Sequence, residues 1–347
     1  MSLHDETDPG LRPRAVSAWF AENIDGVVGD VAFEQIAGGR SNLTYLAQDR
    51  SQAKWVLRRA PLGMGASRSH DVLREADVLS RLAGTTVRVP AVSGRTTDAG
   101  ITGAPFYVME HVDGTILRDR ATVEAAVPVD RRPAYARSLV TTLALLHEVD
   151  PREVGWAALA ERDDYISRQL ARWSANWAAD RVRVLEDIGR AHDRLRELVP
   201  PQPAARIVHG DYRIDNCVYG PDGAIRAVLD WELTTVGDPL ADLGQLLTYW
   251  TEPGDEVRAL QDPPTLADGF GTRDDLIEMY VQASPDADVS SIRFHVAYNW
   301  WKVACIVENV YTRMSRGAMG QSDRTPASFA AQAERIAAQA WRLAREL

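Results

Sequence analysis

The sequence predicts an α+β fold with two lobes, a small antiparallel sheet lobe followed by a large, mainly helical lobe. Short strand-like runs and one key helix fill about the first 110 residues, whereas long helical patterns dominate after Asp113-Gly114. The length of 347 residues is enough for two lobes with sizeable cores. We therefore predict an amino-terminal lobe at 1–111 and a carboxy-terminal lobe at 112–347.

The amino-terminal lobe opens with a helix and continues mostly as strands. Residues 8–24, DPGLRPRAVSAWFAENI, have the pattern of a capped helix. Strand character appears in four runs, 31–38, 43–48, 54–60 and 104–112. Residues 69–84, SHDVLREADVLSRLAG, are apolar at helical spacing and end at a glycine. This order predicts a small sheet with one packed helix.

The carboxy-terminal lobe is predicted to be helical, with two short strand-like pieces. Helical patterns cover 131–149, 163–179, 184–199 and the chain from about Arg273 to its end. The strand-like pieces, 205–210 and 224–232, are joined by a turn rich in Gly and Pro. A dense polar cluster is thereby predicted to lie on a small hairpin among helices, and its members are His209, Asp211, Arg213, Asp215 and Asn216.

Composition and charge exclude several classes of protein. Hydrophobic residues make up 45% and charged residues 25%, and no apolar run approaches the roughly 20 residues of a membrane span. The net charge of -10 argues against a nucleic-acid binder. The acidic start shows no secretory signal, and the distant Cys217 and Cys305 favour a reducing cytoplasm. We expect a cytoplasmic protein without membrane or nucleic-acid partners, and the sequence predicts no oligomeric state.

The polar cluster contains groups suited to phosphoryl transfer. Asn216 and Asp230 lie at opposite ends of the predicted hairpin, which would bring their oxygens side by side, and such hard oxygen donors suit Mg²⁺. Asp211, five residues before Asn216, would face the same space and accept or orient the proton of an attacking hydroxyl. Arg213 has two open interpretations, a salt bridge within the loop or a stabiliser of charge on the moving phosphoryl group.

The spacing of this cluster is that of a known catalytic loop. From His209 it reads H-G-D, four residues, N, and then a later aspartate, which equals the protein-kinase pattern H-x-D-x-x-x-x-N followed by a metal-binding Asp. With HGD for HRD, DWE for DFG, and VGDPLADLG at 236–244, the chain resembles the aminoglycoside phosphotransferase family, which is related to choline and homoserine kinases. The resemblance covers roughly 30–320. It implies a protein-kinase-like fold and ATP- and Mg²⁺-dependent transfer to a small-molecule hydroxyl, with GTP as the alternative nucleotide.

The resemblance also assigns nucleotide-binding roles in the amino-terminal lobe. The stretch IAGGRSNLTY matches a phosphate loop, whose proposed contacts are Gly38, Gly39, Ser41 and Asn42. Arg58 stands where most kinases have lysine, and arginine keeps the charge with a different reach and geometry. Lys54, four residues earlier on the same strand, is the alternative cation.

Further positions follow from the same resemblance. Glu75 matches the acid that pairs with the phosphate-binding cation, and Glu110 with His111 matches the hinge whose backbone groups contact adenine. Asp242 matches the aspartate that braces the catalytic loop. Asp238 more simply caps the helix that follows it.

The helical segment near the carboxyl end suggests which acceptor the protein uses. In the stretch 307–316, VENVYTRMSR, we predict that Glu308 pairs with Arg313 and Arg316. Arginine side chains near an acceptor site would favour an anionic substrate over an aminoglycoside. The stretch 301–313 resembles the kinase-like domain that accompanies some acyl-CoA dehydrogenases, which implies hydroxyacyl thioester acceptors.

Two rival functions remain open. One is a degenerate kinase that binds nucleotide without catalysis, and the other is a metal-dependent phosphoesterase, which would call for further His-rich motifs.

Overall fold

A computed structural model describes residues 11–36, 42–60, 71–317 and 324–347, and these fall into two compact units. The first unit contains the described residues up to Gly114 together with Arg226–Thr234. The second contains Thr115–Ile225 and the described residues from Thr235 onward. The segment Arg226–Thr234 therefore groups with the first unit, although it lies within the predicted carboxy-terminal lobe.

An antiparallel sheet forms the centre of the first unit. Its strands are β1 (Ala32–Gln35), β2 (Leu43–Gln48), β3 (Lys54–Arg59), β4 (Val92–Thr96) and β5 (Phe106–Glu110), in the spatial order β1-β2-β3-β5-β4. β5 has a neighbour on both sides, and its first four residues, FYVM, are all buried. The four predicted strands are confirmed, whereas β4 was missed because its sequence VSGRT contains glycine and polar residues.

Three helices accompany this sheet in the described residues of the first unit, α1 (Pro13–Asn23), α2 (Val72–Leu82) and α3 (Ala99–Thr102). Asp71 caps α2, because its side chain accepts hydrogen bonds from the Leu73 and Arg74 backbone amides. Trp19 of α1 packs edge-on against Phe106 with 4.8 Å between ring centroids. The predicted opening helix and the amphipathic helix after β3 are thus confirmed.

Helices make up most of the described second unit. They are α4 (Arg120–Ala126), α5 (Arg132–Glu148), α6 (Ala157–Ala160), α7 (Tyr165–Asp180), α8 (Glu186–Glu197), α9 (Leu240–Tyr249), α10 (Arg273–Ala283), α11 (Ile292–Ser315) and α12 (Pro326–Arg345). The long helices predicted from periodicity are confirmed. None of the helices in the described ranges is long and apolar enough to cross a membrane.

The predicted hairpin around the polar cluster is confirmed in part, because its first strand is not the run at 205–210. The remaining strands are β6 (Arg206–Val208), β7 (Cys217–Tyr219), β8 (Ile225–Val228) and β9 (Thr235–Gly237). β8 pairs with β7 across the turn, whereas β6 pairs antiparallel with β9. The turn itself is present, since the Gly220 amide donates to the Ala224 carbonyl at 2.8 Å. Pairing of β6 with β9 places the loop after β6 beside the start of α9.

Close packing of α9 against α11 defines the core behind this loop. Gly244 makes the approach feasible, because a Cβ at that position would lie 2.8 Å from the His295 carbonyl carbon. The contact is polar as well as apolar, since Asn299 Nδ2 donates to the Ala241 carbonyl at 3.0 Å. His295 Nε2 meets Asp238 Oδ2 at 2.9 Å, and Asp238 Oδ1 accepts from the Leu240 amide as its predicted capping role requires.

Candidate active site

A tight loop follows β6 and carries Asp211. Gly210, the preceding residue, has a φ of +84°, a left-handed conformation that favours glycine. The buried Asp242 carboxylate accepts hydrogen bonds from the His209 and Gly210 backbone amides at 2.6 and 2.8 Å. The predicted bracing contact of Asp242 is therefore confirmed, and it fixes the backbone from which Asp211 projects.

Both oxygens of the Asp211 carboxylate accept hydrogen bonds. Gln245 Nε2 donates to Oδ1 at 2.5 Å, and Asn216 Nδ2 donates to Oδ2 at 3.2 Å. Asn216 Nδ2 also donates to the Asp211 carbonyl oxygen at 2.8 Å. The Asp211 side chain nevertheless stays 25% exposed. An oriented and accessible carboxylate is suited to general-base chemistry, and this role of Asp211 stays a prediction.

Arg213 lies in the same loop and bridges its acidic residues. Its Nε is 3.4 Å from Asp211 Oδ1, and its Nη2 is 3.3 Å from Asp215 Oδ2. The guanidinium also lies 4.6 Å from the centroid of the Tyr249 ring, within the range of a cation–π contact. The structure therefore shows the loop salt bridge, and a role for Arg213 in stabilising phosphoryl charge stays a prediction.

Sequence reasoning missed two residues beside Asp211, namely Gln245 on α9 and Lys302 on α11. Lys302 Nζ donates to Gln245 Oε1 at 2.7 Å and to the Gly210 carbonyl at 2.9 Å. Gln245 and Lys302 are both buried. One signal was available, since Lys302 is one of only two lysines in the chain and stands in the apolar run NWWKVACIV. An amine that cannot reach water in such a run needs acceptors nearby.

The electrostatics of this loop depend on buried charges. Burial alone would raise the pKa of Asp242, but hydrogen bonding and the charges of His147 and His209 outweigh it and lower the pKa. Burial lowers the pKa of Lys302, and the carboxylates of Asp211 and Asp242 partly oppose this effect. The carboxylates therefore help to keep the lysine charged in a site with little access to water.

In the first unit, Arg58 of β3 pairs with two carboxylates. Its Nη1 lies 2.8 Å from Glu75 Oε1, and its Nη2 lies 3.1 Å from Asp230 Oδ1. The side chains of Arg58 and Glu75 are only 11% and 1% exposed, whereas that of Asp230 is 33% exposed. The predicted pairing of Arg58 with Glu75 is confirmed. Lys54, the alternative cation, is exposed at the start of the same strand.

Burial and neighbouring charges shift the pKa values of the side chains in this cluster. Burial opposes the charge of Arg58, but the negative charges of Glu75 and Asp230 outweigh it and raise the pKa of Arg58. Burial raises the pKa of Glu75, with Arg58 acting against the shift and Asp230 adding to it. Burial and the nearby Glu75 also raise the pKa of Tyr107. Arg58 is thus a permanently charged guanidinium held in a fixed position.

The backbone at Asp230 is unusual. Its φ is +67°, which makes it one of two non-glycine residues with positive φ in the described ranges. The next residues are anchored to α2, since the Trp231 amide donates to Glu75 Oε1 at 3.3 Å and Arg74 donates to the carbonyls of Glu232 and Thr234. Backbone in a sparsely populated conformation persists only when its surroundings hold it there, and such positions cluster at functional sites.

The predicted phosphate loop lies largely outside the described residues. Gly38, Gly39 and Ser41 are not within the described ranges. Asn42 is described and buried, and its Nδ2 donates to Glu232 Oε2 at 3.2 Å. The structure therefore ties Asn42 to the segment after Asp230, and a contact with nucleotide phosphates stays a prediction.

The predicted adenine hinge, Glu110 and His111, follows β5. The Glu110 amide donates to the Ala91 carbonyl at 2.8 Å, so this N–H is already used within the first unit. His111 Nδ1 lies 3.4 Å from Asp113 Oδ1. Contacts of the Glu110 carbonyl or the His111 backbone with a nucleotide base stay predictions.

The donor chemistry of the two predicted magnesium ligands fits a hard cation. The Asn216 amide group donates to Asp211, which leaves the amide oxygen as the end that can bind a metal. Asp230 uses Oδ1 for Arg58, and its second oxygen remains for another partner. Amide and carboxylate oxygens are ligands that Mg²⁺ accepts alongside water and phosphate. No group of three or more His, Cys, Asp or Glu residues suited to hold a metal occurs in the described part of the chain.

Comparison with known proteins identifies the family. A family model described as the phosphotransferase enzyme family (APH) matches residues 32–279. The chain belongs to this phosphotransferase family. It therefore groups with the small-molecule phosphotransferases, as the catalytic-loop pattern predicts.

Curated relatives include proteins named for acyl-CoA dehydrogenation. Acyl-CoA dehydrogenase family member 10 of Mus musculus is 30% identical over 292 residues, which are 83% of this chain and 27% of that protein. Family member 11 of Rattus norvegicus is 30% identical over 325 residues, which are 89% of this chain and 40% of that protein. The chain thus spans less than half the length of either relative. Viomycin phosphotransferase of Streptomyces vinaceus is 28% identical over 180 residues, which are 49% of this chain and 60% of that protein.

Solved structures agree with the family assignment. A candidate aminoglycoside phosphotransferase from Ralstonia eutropha has a TM-score of 0.79 at 26% identity, covering 96% of this chain and 98% of the other. Aminoglycoside phosphotransferase APH(4)-Ia, in a ternary complex with ADP and hygromycin B, has a TM-score of 0.63 at 15% identity, covering 95% and 98%. The predicted kinase-like α+β fold is therefore confirmed.

Proposed function

We propose that this protein transfers the γ-phosphoryl group of a nucleoside triphosphate to a hydroxyl group of a small molecule. The observation that carries the proposal is the Asp211 carboxylate, held by Gln245 and Asn216 yet partly exposed. The acceptor oxygen bonds to the γ-phosphorus, and the bond from that phosphorus to the β–γ bridging oxygen breaks. The nucleoside diphosphate leaves with the electron pair, while Asp211 orients the hydroxyl and takes its proton.

Arg58 is the residue proposed to bind the α- and β-phosphates of ATP, with GTP as the alternative nucleotide. Its ion pair with Glu75 fixes the guanidinium before a nucleotide arrives, so little ordering is needed on binding. Phosphoryl transfer depends mainly on positioning and on neutralising charge. A fixed and permanently charged side chain contributes to both.

Magnesium is proposed to bind through the oxygens of Asn216 and Asp230. A bound Mg²⁺ would neutralise charge on the phosphate oxygens of the nucleotide. Replacing Asp230 with alanine removes a carboxylate from a site with few protein ligands, and should weaken Mg-ATP binding in calorimetric titration. An unchanged dependence on magnesium would place the metal at other residues.

The charges around Asp211 favour an acceptor that carries an anionic group. Burial is the main cause of the lowered pKa of Lys302, and the positive charges of Arg172 and Arg213 add to it. Glu308 is unavailable to an ammonium group, because it is fully buried and pairs with Arg183 at 2.8 Å, and not with Arg313 and Arg316 as the sequence suggests. A polycationic aminoglycoside would meet repulsion here.

The names of the relatives point in the same direction. Family members 10 and 11 are named acyl-CoA dehydrogenase proteins, and each contains a region similar to this chain. A hydroxyacyl thioester of coenzyme A offers both a hydroxyl group and anionic phosphates. We therefore propose a hydroxylated metabolite with an anionic or acyl portion as the acceptor, and aminoglycosides as side substrates at best.

An acceptor screen with Mg-ATP tests these proposals. We expect phosphorylation of hydroxyacyl-CoA compounds with a higher kcat/KM than that of kanamycin-like drugs. A drug value of roughly 10⁴ M⁻¹s⁻¹ or above, in the usual range of enzymes, with no activity on acyl compounds would overturn the acceptor class. Nucleotide binding without transfer to any acceptor would favour the degenerate kinase. Metal-dependent release of phosphate from a monoester, with no nucleotide present, would favour the phosphoesterase.

A further inference from the structure

A continuous chain of hydrogen bonds connects a buried lysine to the proposed catalytic carboxylate. Lys302 Nζ donates to Gln245 Oε1 at 2.7 Å, and Gln245 Nε2 donates to Asp211 Oδ1 at 2.5 Å. Lys302 Nζ also donates to the carbonyl of Gly210 at 2.9 Å. The lysine therefore acts on both sides of Asp211, on the backbone before it and on the end of its side chain.

The chemistry of the two end groups determines which way the Gln245 amide points. A lysine ammonium has only donors, and an ionised carboxylate has only acceptors. The amide oxygen of Gln245 must therefore face Lys302, and the amide NH₂ must face Asp211. Without the lysine, the reversed amide would present its oxygen to Asp211 and repel the carboxylate. Lys302 thus removes an alternative orientation that would withdraw a donor from Asp211.

Stability alone does not account for a lysine in this position. Lys302 is 8% exposed and has the Trp173 ring centroid 5.9 Å from Nζ. A buried charge carries a desolvation cost that an apolar side chain of similar volume avoids. Close packing of α9 on α11 at Gly244 brings Gln245 and Lys302 together, so the backbone itself is arranged for this contact.

We propose that Lys302 is a positioning residue for phosphoryl transfer, which orients Asp211 through the Gln245 amide and the Gly210 carbonyl. The inference rests on the proposed function, because it assigns Asp211 the role given above. The lysine itself does not touch the reacting atoms. Its effect is to hold the carboxylate at the angle and distance from which it accepts the acceptor's proton.

A double-mutant cycle tests the proposal. Lys302→Met and Gln245→Met keep approximate volume and remove the polar contacts. With Mg-ATP and a hydroxyacyl-CoA, or with water as the acceptor, each change should lower kcat roughly 10- to 100-fold, since a misplacement near 1 Å costs about 10²-fold. The apparent KM for ATP should change little. In the double variant, kcat should fall by less than the product of the two single fold-losses, because both substitutions break the same chain of hydrogen bonds.

Activity of fully folded protein separates positioning from a structural role. Lys302→Met removes a buried charge but leaves Gln245 Oε1 and the Gly210 carbonyl without this donor, so the melting temperature should fall modestly, while kcat measured well below it falls roughly 10- to 100-fold. Thr312→Val is the matched control, since Thr312 is buried on the same helix and its hydroxyl has no hydrogen-bond partner among the described residues. This control should keep kcat. Independent, multiplicative losses in the cycle, or an unchanged kcat of Lys302→Met at a temperature where the variant is fully folded, would overturn the positioning role.

A spectroscopic readout keeps this test distinct from that of the proposed function. In ¹⁵N-labelled protein, the Gln245 side-chain amide proton bonded to Asp211 should resonate downfield, and Gln245→Met identifies it by its loss. Lys302→Met should move this resonance towards the position of a free amide. An unmoved resonance would overturn the inference even if the enzyme is active. If the wild-type protein transfers no phosphoryl group, the proposed function fails, and the resonance still decides whether Lys302 orients the amide.

Discussion

The two units of the molecule hold their buried positive charges in different ways. In the first unit, Arg58 contacts the carboxylates of Glu75 and Asp230 directly. In the second unit, the amide of Gln245 stands between Lys302 and Asp211. Direct pairing suits a cation that must stay charged and fixed. An interposed amide orients Asp211 without joining it directly to the buried lysine.

Under the proposed function, each arrangement suits a separate chemical task. A phosphate-binding group needs permanent charge, which a guanidinium supplies at every physiological pH. A proton acceptor needs a carboxylate that is oriented but still able to receive a proton. Changing one residue of each arrangement should therefore produce different kinds of loss, in turnover for the second unit and in nucleotide affinity and stability for the first.

The largest expected effect is on turnover, through Asp211→Asn. The amide keeps the size of the side chain but cannot accept the hydroxyl proton, so turnover should fall roughly 10²- to 10⁴-fold. Nucleotide affinity measured by calorimetry should stay nearly intact. Asp215→Asn is the matched control in the same loop, and its loss should be much smaller. Comparable turnover in Asp211→Asn and the wild type would remove Asp211 from the mechanism.

The next effect is on the first unit, through Arg58→Ala. Removing one partner of a buried ion pair leaves the Glu75 charge without compensation, which should lower the free energy of unfolding by about 3–5 kcal/mol. ATP affinity should fall strongly, whereas Arg58→Lys should retain part of it because the charge is kept. Urea unfolding and calorimetric titration measure the two losses.

A second variant separates stability from nucleotide binding at this site. Arg58→Met combined with Glu75→Gln removes both charges and should recover much of the lost stability. ATP affinity should remain low, because the phosphate-binding cation is still missing. If Arg58→Ala binds ATP as well as the wild type, Lys54 or another cation holds the phosphates.

The same contrast explains what the sequence could predict. The Arg58–Glu75 pair was predictable because both residues stand at positions that match a familiar pattern, one on a strand and one on the next helix. Asp242 was predictable for the same reason. The Gln245–Lys302 contact was not, because its partners are 57 residues apart and meet only through the packing of two helices.

Strand pairing shows the same limit. The segment at 205–210 has clear strand character, but short apolar runs do not specify their partner. The structure pairs β6 with Thr235–Gly237, which lies beyond the turn that suggested a local hairpin. Asn42 was missed as a partner of Glu232 because the two residues are 190 positions apart. Local patterns thus predict elements and loop spacing better than contacts between distant elements.

Gly244→Ala should produce a smaller effect by separating α9 from α11. The added Cβ would lie 2.8 Å from the backbone of His295, which cannot move as a flexible side chain would. Overpacking of this kind should cost about 1–3 kcal/mol in the free energy of unfolding, and lower turnover by displacing Gln245.

Gly189→Ala is the matched control for that change. Gly189 lies in α8, and a Cβ there would meet no atom within 4 Å. This substitution should raise stability by about 0.4–1 kcal/mol, because alanine restricts the unfolded chain. If Gly244→Ala and Gly189→Ala have the same free energy of unfolding, the packing of α9 against α11 does not require glycine at position 244.

The smallest expected effect is a pH dependence that originates at Asp242. Its pKa is lower in the folded protein, where burial is outweighed by His147, His209 and the Gly210 amide. A carboxylate with a lowered folded pKa stabilises the protein fully above its unfolded value of about 3.9, and this stabilisation is lost as the pH falls towards the folded value. The unfolded chain then binds the proton more readily than the native one.

Comparison with Asp242→Asn isolates this contribution. The variant should be less stable than the wild type near pH 6, because two backbone amides lose their shared carboxylate. Below about pH 4 the wild type should lose stability relative to the variant by up to about 1.4 kcal/mol per pH unit, the limit for one proton. Urea unfolding of both proteins at a series of pH values measures the difference in their free energies of unfolding. The other carboxylates are the same in both proteins, so their contributions cancel in this difference. A difference that stays constant, or grows as the pH falls, would contradict the lowered pKa, and the loop before Asp211 would then be held chiefly by its neutral contacts.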